Sequence, residues 1–181
     1  MNIEDKDKEK YHEKKLDEAS TQIEFMSQTI DDFRNFYEPN KKKELFSLAE
    51  ESQSVIDFIS FESIEIELRV LEDTTILNYK NEYKQVLLNL LTNAKDVLLQ
   101  RRILLPKIII EINTATVKVS DNGGGIRAEN IEKIFEPYFT TKQKGMGIGL
   151  YMSKMIVERN MGGNVEVYND ELGAVFTLNK L

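Results

Sequence analysis

The sequence predicts an α/β fold in which strands form one layer and helices the other, preceded by a long coiled-coil-like helix. Three observations support this expectation: a heptad repeat near the N-terminus, several short stretches of alternating apolar and polar residues, and one broad amphipathic helix in the middle. The strand patterns occur largely in neighbouring pairs. We therefore expect a two-layer α/β sandwich with a mixed, mainly antiparallel sheet.

Size and composition exclude several classes of function. The 181 residues are 41% hydrophobic and 30% charged, which is typical of a globular domain with an appended segment. A net charge of −7 argues against a nucleic-acid partner, and the lack of cysteine excludes disulfides and thiolate metal sites. There is neither an apolar run of the roughly 18 residues that a membrane span needs nor a secretory signal. We expect a cytoplasmic location, which includes that of the cytoplasmic part of a larger membrane sensor.

The N-terminal segment has the apolar spacing of a coiled coil. Seven residues spaced alternately three and four positions apart form this seam: Leu16, Ala19, Ile23, Met26, Ile30, Phe33 and Tyr37. So narrow a seam needs another helix, from a second copy of the chain or from a segment not present here. The alternative is a helix that lies back on its own domain. Pro39 ends the pattern, so we expect an N-terminal helix over 1–39 and a second domain over 40–181.

The second domain begins with a helix, two strands and the central helix. Ser47 and Glu50 have the spacing of a capping box, which predicts a helix from Ser47 to about Ile59. Residues 64–70 alternate between apolar and charged, which indicates a half-buried strand, and residues 75–79 are its expected hairpin partner. The amphipathic helix then runs from about Glu82 to Gln100.

The remaining elements follow from turn signals and periodicity. We expect a hairpin of residues 107–112 and 116–120, a short helix near Ile131 and an irregular segment over 137–145. A helix over 147–159 and two strands near 164–168 and 174–178 complete the chain.

The central helix carries a stripe of polar side chains between its apolar and its charged faces. The stripe consists of Gln85, Asn89, Asn93, Asp96 and Gln100. One interpretation is a half-exposed helix flank. The other is that Asn93 and Asn89 offer side-chain oxygens to Mg²⁺, which prefers oxygen ligands and retains waters and substrate phosphates as its others.

Six of the nine glycines lie in two clusters, of which the first directly follows a strand. Asp121 ends that strand, and Gly123 to Gly125 then let the chain turn and a flat ligand approach. Asp121 could accept a hydrogen bond from an exocyclic amine; the alternative is an ordinary Asp-Gly turn.

The second cluster, Gly145, Gly147 and Gly149, opens a helix, where exposed amides and the helix dipole favour an anion such as phosphate. The aromatic segment before it, residues 134–142, suits a loop that packs over a ligand. Its polar end, Thr141, Lys142 and Lys144, could reach phosphates, although Lys144 could equally be a simple surface residue.

Four motifs in this order resemble the N, G1, F and G2 boxes of sensor histidine kinases. They are Asn89-Leu-Leu-Thr-Asn93-Ala, Asp121-Asn-Gly-Gly-Gly125, Phe135-Glu-Pro-Tyr-Phe139-Thr-Thr-Lys142 and Gly145-Met-Gly-Ile-Gly149-Leu150. The resemblance covers about residues 40–181 as the catalytic ATP-binding domain, with the Bergerat-type fold of gyrase-type ATPases. Residues 26–36 are similar to the second helix of the dimerisation and histidine-phosphotransfer domain.

The resemblance implies a binding site for ATP or ADP with Mg²⁺. Asn93 and Asn89 would be the catalytic residues and the Mg²⁺ ligands, Asp121 would accept from the adenine amino group, and Thr177 would support the adenine side. The implied ATP-binding residues are Asn89, Asn93, Asp96, Asp121, Gly123, Gly125, Ile126, Thr141, Lys142, Gly145, Gly147, Ile148, Gly149, Leu150 and Thr177.

Two positions, Asp96 and His12, depart from the pattern of sensor histidine kinases, and a third, Asn89, differs from that of gyrase-type enzymes. Asp96 replaces the lysine of many kinases and could hold water near the base. Asn89 stands where gyrase-type enzymes have a water-activating Glu; because an amide is a poor general base, phosphotransfer is favoured over hydrolysis. His12 is the only histidine and lacks the expected following Pro, so we expect it to be a solvated or seam residue.

The expected function is therefore transfer of the ATP γ-phosphate to a histidine not evident in this chain, in two-component signalling. Such a module would form a homodimer through its N-terminal helix and would need the missing phosphoacceptor helix and a response regulator. The alternatives are an anti-sigma-type serine protein kinase, which shares these boxes, and a nucleotide-binding dimerising adaptor without transfer activity.

Overall fold

The structure is a computed structural model that describes residues 15, 42–59, 61, 63–142 and 145–181. The heptad seam, His12 and Lys144 lie outside the described residues. Residues 42–181 belong to one compact unit, Lys41–Leu181. Its elements are β1 (Glu44–Ser47), α1 (Leu48–Phe58), β2 (Glu65–Glu72), β3 (Thr75–Asn78), α2 (Lys80–Gln100), β4 (Lys107–Asn113), β5 (Thr116–Asp121), α3 (Ala128–Ile131), α4 (Gly149–Met155), a π-helical continuation (Ile156–Met161), β6 (Asn164–Asn169) and β7 (Ala174–Asn179).

Five strands form the main sheet in the order β2-β4-β5-β7-β6. The β2–β4 pair is parallel, and the other three pairs are antiparallel. This arrangement confirms the predicted α/β fold with a mixed, mainly antiparallel sheet. The β4–β5 hairpin, predicted from the short turn between its strands, is also present.

The predicted pairing of β2 with β3 is wrong. Strand β3 instead pairs with β1, a strand that the sequence analysis missed, and the two form a separate antiparallel ribbon. The reason lies in Asp73, in the short connection between β2 and β3. Its carboxylate accepts hydrogen bonds from Ser47 Oγ at 2.6 Å and from the backbone N of Ala49 at 3.1 Å at the start of α1. The connection therefore caps α1 and leads β3 towards β1. The Ser47 cap itself is confirmed, since its Oγ accepts from the backbone N of Glu50 at 3.0 Å.

The core lies between the sheet and α2. On β4, Ile108, Ile110 and Ile112 are fully buried. The predicted amphipathic character of α2 is confirmed. Its buried apolar side chains are those of Tyr83, Val86, Leu87, Leu90, Leu91, Ala94 and Leu98, and Val97 beside them is half-buried. Burial of these side chains fixes the rotation of α2 about its axis, and the polar stripe beside them is thereby aimed at the loops that follow β5 and precede α4.

The sequence predicts one uniform helix over 147–159, whereas the last helix has two parts of different geometry. After α4 the backbone changes to π-helical geometry and ends at Gly162, whose φ of 81° is left-handed. Two hydrogen bonds to residues outside the helix hold this end: Asn78 Nδ2 donates to the carbonyl of Met161 at 3.0 Å, and Asn160 Nδ2 donates to Oε1 of Glu82 at 2.7 Å. Across the described part of the chain, none of the helices has the length and apolar character that a bilayer crossing requires.

Candidate functional site

One stripe of α2 contacts all three of the other predicted motifs. Asn89, Asn93 and Val97 follow one another at intervals of four along α2, and Arg101, at the same interval, directly follows the last residue of the helix, so each lies next to the one before it. At a rise of about 1.5 Å per residue they span roughly 18 Å. Each of these four residues contacts one of the other motifs. The helix is therefore the common wall of the site.

The carboxylate of Asp121 lies at the end of β5 and is almost completely enclosed. Asp121 is only 9% exposed, and its Oδ1 accepts a hydrogen bond from the backbone N of Gly123 at 2.8 Å. Burial raises the pKa of Asp121, although hydrogen bonds from the backbone of Gly123 and Ala174 oppose this effect. A buried carboxylate with a raised pKa is typical of a functional position.

The turn after Asp121 depends on glycine in two ways. Gly124 and Gly125 have φ values of 81° and 75°, in the left-handed region. A Cβ on Gly123 would lie 2.9 Å from Val97 Cγ1, so only glycine allows the turn to pack this closely on α2. From the other side, a Cβ on Gly173 would lie 2.1 Å from the carbonyl O of Asp121.

Two side chains that the sequence analysis missed hold this turn in place. Nη1 of Arg101 donates to the carbonyl oxygens of Gly123 and Gly125, the latter at 2.9 Å. Asn169, at the end of β6, makes a reciprocal pair with Ile126: its Oδ1 accepts from the backbone N at 2.8 Å and its Nδ2 donates to the carbonyl O at 2.7 Å. Both residues bind backbone atoms, which every residue has, so no pattern of partner side chains in the sequence points to them.

The two asparagines of α2 lie next to the start of α4. Asn89 Nδ2 donates to Ser153 Oγ at 2.8 Å, and Asn93 Nδ2 donates to Asn89 Oδ1 at 3.4 Å. A Cβ on Gly149 would lie 2.5 Å from Asn89 Oδ1. The third glycine of the second cluster therefore gives Asn89 its room, and the two motifs are in direct contact.

The polar end of the aromatic segment folds onto the same stripe. The ammonium Nζ of Lys142 donates to Asn93 Oδ1 and to Asp96 Oδ2, each at 2.7 Å. The backbone N of Lys142 donates to Thr140 Oγ1 at 3.0 Å, so Thr140 shapes this loop, whereas Thr141 is exposed. Asp96, whose predicted role was to hold water near the base, here pairs with the lysine.

Close packing joins the aromatic segment to the second glycine cluster. Gly147 has a φ of 68°, and a Cβ there would lie 2.2 Å from the carbonyl O of Phe139. The backbone N of Tyr138 donates to the Gly147 carbonyl at 3.0 Å. Phe135 anchors the segment against the sheet through an edge contact with Phe176, with ring centroids 6.4 Å apart.

The remaining predicted residues differ in how they relate to this site. Gly145 is packed against Thr140, since a Cβ would lie 2.8 Å from its Oγ1. Ile148 and Leu150 flank the start of α4 and are half-buried.

Thr177 does not join the site. It pairs with Lys118 across β5 and β7, three residues from Asp121, and strand alternation places it on the opposite face of the sheet. Its predicted role on the adenine side is therefore wrong. An open cleft of about 580 Å³, lined by Gly162, Gly163 and neighbouring polar residues, shares no residue with the site. The assignment here rests on converging polar groups and not on cavity volume.

The arrangement has two chemically different ends. At one end a buried carboxylate beside a glycine turn can accept a hydrogen bond from an amine on a flat ring. At the other end, the amide oxygens of Asn89 and Asn93 lie near the ammonium group of Lys142. Amide oxygens suit a hard cation, and an ammonium group suits the anionic groups that accompany such a cation. A ligand with an amine-bearing base and a phosphate tail matches both ends.

Comparison with known proteins agrees with this description. Residues 78–181 match the sequence profile of the histidine kinase-, DNA gyrase B-, and HSP90-like ATPase family. The two-component sensor PprA of Pseudomonas aeruginosa is 43% identical over 107 residues, which are 54% of this chain and 12% of that protein. The sensor protein FixL of Bradyrhizobium diazoefficiens is 30% identical over 173 residues, which are 91% of this chain and 34% of FixL. The chain thus spans about a tenth to a third of the length of these relatives.

Among solved structures, the catalytic domain of histidine kinase ThkA superposes with a TM-score of 0.58 at 31% sequence identity. The match covers 75% of this chain and 93% of the ThkA domain. The profile match covers more than half of the chain and includes all four motifs. This chain belongs to the histidine kinase-, DNA gyrase B-, and HSP90-like ATPase family, and residues 42–181 have the fold of a histidine kinase catalytic domain.

Proposed function

We propose that this chain is the ATP-binding catalytic module of a sensor histidine kinase, which transfers the γ-phosphate of ATP to a histidine supplied by another segment or chain. The observation that carries the proposal is the convergence of three motifs on α2 and on Arg101, the residue that directly follows it. Asn89 touches the second glycine cluster, Asn93 bonds the lysine of the aromatic segment, and Arg101 binds the turn that follows Asp121.

The end at Asp121 is proposed to recognise adenine. The ionised carboxylate accepts a hydrogen bond from the exocyclic amine, and Gly123, Gly125 and Ile126 form the turn beside the base. The pair formed by Asn169 and the backbone of Ile126 supports this assignment, because it fixes the position of the turn beside Asp121.

The end at Asn93 is proposed to hold Mg²⁺. Two observations support the fit: Asn93 Oδ1 already accepts from a cationic group, the Lys142 ammonium, and Asn89 Oδ1 lies within 3.4 Å of Asn93 Nδ2. Bound Mg²⁺ would supply neutralisation of phosphate charge. The role of the protein would be to offer the amide oxygens of Asn93 and Asn89 as ligands and to orient Asn89 through its bond to Ser153.

The loop before α4 is proposed to act as a lid over the phosphates. Thr141, Lys142 and the residues of the second glycine cluster, with Ile148 and Leu150, would line it. Catalysis then consists of positioning and charge neutralisation, as phosphoryl transfer requires. Asn89 cannot serve as an effective general base, which favours transfer to an acceptor side chain over hydrolysis.

The wider assembly is also a proposal. We propose that residues 1–39 form the helix that pairs two copies of the chain and that residues 40–181 are the catalytic unit. A separate phosphoacceptor helix supplies the histidine, and a response regulator receives the phosphate. The alignment with FixL extends over 91% of this chain, so part of the N-terminal segment also has a counterpart there. Because ATP is a cytosolic substrate, the module would work on the cytoplasmic side.

The test is incubation with γ-labelled ATP and Mg²⁺, with and without a domain that carries a phosphoacceptor histidine. We expect label on that domain in a form that is lost in acid, as phosphohistidine is, and stable in base. Acid-stable label on serine would support the anti-sigma-type alternative. ATP binding without any transfer would support the adaptor.

The Mg²⁺ assignment has its own test. Asn93→Ala should abolish the enhancement of ATP affinity by Mg²⁺, as measured by calorimetry, while adenosine binding is unchanged. Asn81→Ala is the matched control, because Asn81 is an exposed asparagine in the first turn of the same helix. Equal magnesium dependence in Asn93→Ala and the unsubstituted chain would contradict the assignment.

A further inference from the structure

The turn after β5 is held by a residue that belongs to none of the four motifs. Gly124 and Gly125 are in the left-handed region, so the chain leaves the sheet and its carbonyl groups lose their strand partners. The carbonyls of Gly123 and Gly125 both accept from Nη1 of Arg101. Nη1 carries two hydrogens, one for each carbonyl. The separation of the two carbonyl oxygens is therefore fixed by a single nitrogen atom.

The position of Arg101 is itself fixed by α2. Its backbone N donates to the carbonyl of Val97 at 2.9 Å, and the side chain of Val97 packs against Gly123. The end of α2 and the turn thus form one packed unit. Since α2 also carries Asn89 and Asn93, Arg101 connects the two ends of the site.

The charge of Arg101 acts on Asp121 as well. Burial raises the pKa of Asp121, and the positive charge of Arg101 is one of the influences that lower it again. The guanidinium therefore helps to keep the buried carboxylate ionised, which is the form that accepts a hydrogen bond from an amine.

We propose that Arg101 is a positioning residue for base recognition: by holding the carbonyls of Gly123 and Gly125, it sets the turn beside Asp121 so that the carboxylate selects a base with an exocyclic amine. This inference deepens the proposed function and rests on it. The residue acts through the backbone and does not itself contact the reacting groups.

The experiment compares the affinities of the full chain for ADP and IDP by calorimetry across a range of pH. IDP presents an oxygen where ADP has its amine, so an ionised Asp121 should disfavour it. Arg101→Met should lower ADP affinity by about tenfold, the effect of one lost hydrogen bond to a charged group, and should leave IDP affinity within about twofold. The ratio of the two affinities should therefore collapse.

The pH profile separates positioning from a merely structural role. Without the guanidinium, the pKa of Asp121 is raised further. As the pH is lowered, ADP affinity should therefore start to fall at a higher pH in Arg101→Met than in the unsubstituted chain. Arg102→Met is the matched control: it removes the same charge from the neighbouring residue, and the contacts to Gly123 and Gly125 remain. It should change neither the ratio nor the profile.

Two results would overturn the inference: an unchanged ADP-to-IDP affinity ratio in folded Arg101→Met, whether both affinities are kept or fall equally, or an unshifted pH profile of ADP affinity in that variant. If that variant does not fold, Arg101→Lys replaces it. A lysine keeps the charge, but its ammonium nitrogen ends one bond short of the position of Nη1 and lacks the planar guanidinium geometry. We therefore expect a reduced ratio with an unshifted profile; an unchanged ratio would again contradict the inference. Failure of the unsubstituted chain to bind ADP would instead remove the proposed function.

Discussion

The ammonium nitrogen of Lys142 lies 2.7 Å from Oδ1 of Asn93, and its second partner, Asp96 Oδ2, is equally close. The amide oxygen that we propose as a Mg²⁺ ligand thus already faces a positive charge from the lid. A divalent ion bound by Asn93 would compete with this ammonium group, since like charges at one oxygen repel each other, and a displaced lysine could then reach a phosphate. We infer that the position of the lid depends on the cation.

This relationship predicts that Lys142→Met lowers the Mg²⁺ concentration that gives half-maximal enhancement of ATP affinity. The competing ion pair is partly exposed, with side-chain exposures of 33% and 41% for Lys142 and Asp96. Such a pair is worth about 0.5 to 1 kcal/mol, so the expected decrease is about twofold to fivefold. Calorimetric titration with ATP at increasing Mg²⁺ measures it.

Lys133→Met is the matched control for this prediction. Lys133 is an exposed lysine that precedes the aromatic segment, and its replacement removes the same charge without touching Asn93. It should leave the magnesium midpoint in place. A midpoint that rises in Lys142→Met would show that the lysine assists the cation and does not compete with it.

A second prediction separates stability from binding at Asp121. Asp121→Asn should weaken ADP binding by about tenfold or more, because a hydrogen bond to a charged group contributes about 1.5 to 3 kcal/mol. Its effect on folding should depend on pH. A carboxyl whose folded pKa is raised contributes stability below its unfolded pKa, and this contribution is lost as pH rises through the folded value. Relative to the unsubstituted chain, the free energy of unfolding of Asp121→Asn should therefore improve as pH rises from acid to neutral.

Asp170→Asn provides a control of opposite sign. Hydrogen bonds from the backbone of Gly173 and Leu172 lower the pKa of Asp170. A lowered folded pKa contributes stability above the unfolded value, and this is lost as pH falls through the folded one. The deficit of Asp170→Asn should thus grow from acid to neutral pH. Denaturant unfolding at several pH values measures both variants, and parallel pH trends would refute the interpretation of Asp121.

The success of the sequence analysis follows from what periodicity can encode. Apolar spacing fixed which side of α2 is buried, so Asn89 and Asn93 could be placed on one stripe before any coordinates. Glycines after a strand identified the turn at Asp121. These inferences need only the local chain, because a residue's position along a helix or at a strand end is a local property.

The errors have the opposite origin. The partner of β3 is set by a carboxylate, Asp73, that bonds the start of α1 far away in sequence. The face of Thr177 depends on the register of β7 against β5, which shifts every side chain when it moves by one residue. Arg101 and Asn169 bind backbone atoms, which look the same in every residue. Such information exists only once the chain has folded.

A third prediction concerns the N-terminal seam, which lies outside the described residues. If the seam pairs two copies of the chain, the double substitution Ile23→Glu with Ile30→Glu should weaken self-association by at least about tenfold, because charged groups would be buried in an apolar interface. Gln22→Glu with Thr29→Glu adds the same residues at positions next to the seam and should retain the dimer. Sedimentation equilibrium measures both. A monomer at high concentration for the unsubstituted chain would rule out this pairing.

The last prediction uses two glycines to separate a steric effect at the site from backbone strain elsewhere. In Gly149→Ala the new methyl group would lie 2.5 Å from Asn89 Oδ1, so Asn89 must move away from Ser153 and Asn93. We expect ATP affinity to fall by about tenfold, or ~1.4 kcal/mol. Stability should fall by at most about 2 kcal/mol, since overpacking costs about 1 to 3 kcal/mol while alanine in a helix regains about 1 kcal/mol.

Gly162→Ala separates strain from the steric effect: its φ of 81° strains any other residue by about 1 to 2 kcal/mol, yet a Cβ there meets nothing within 4 Å. That variant should lose stability and keep its ATP affinity. Equal losses of affinity in the two variants would mean that Gly149 acts through general destabilisation and not through Asn89.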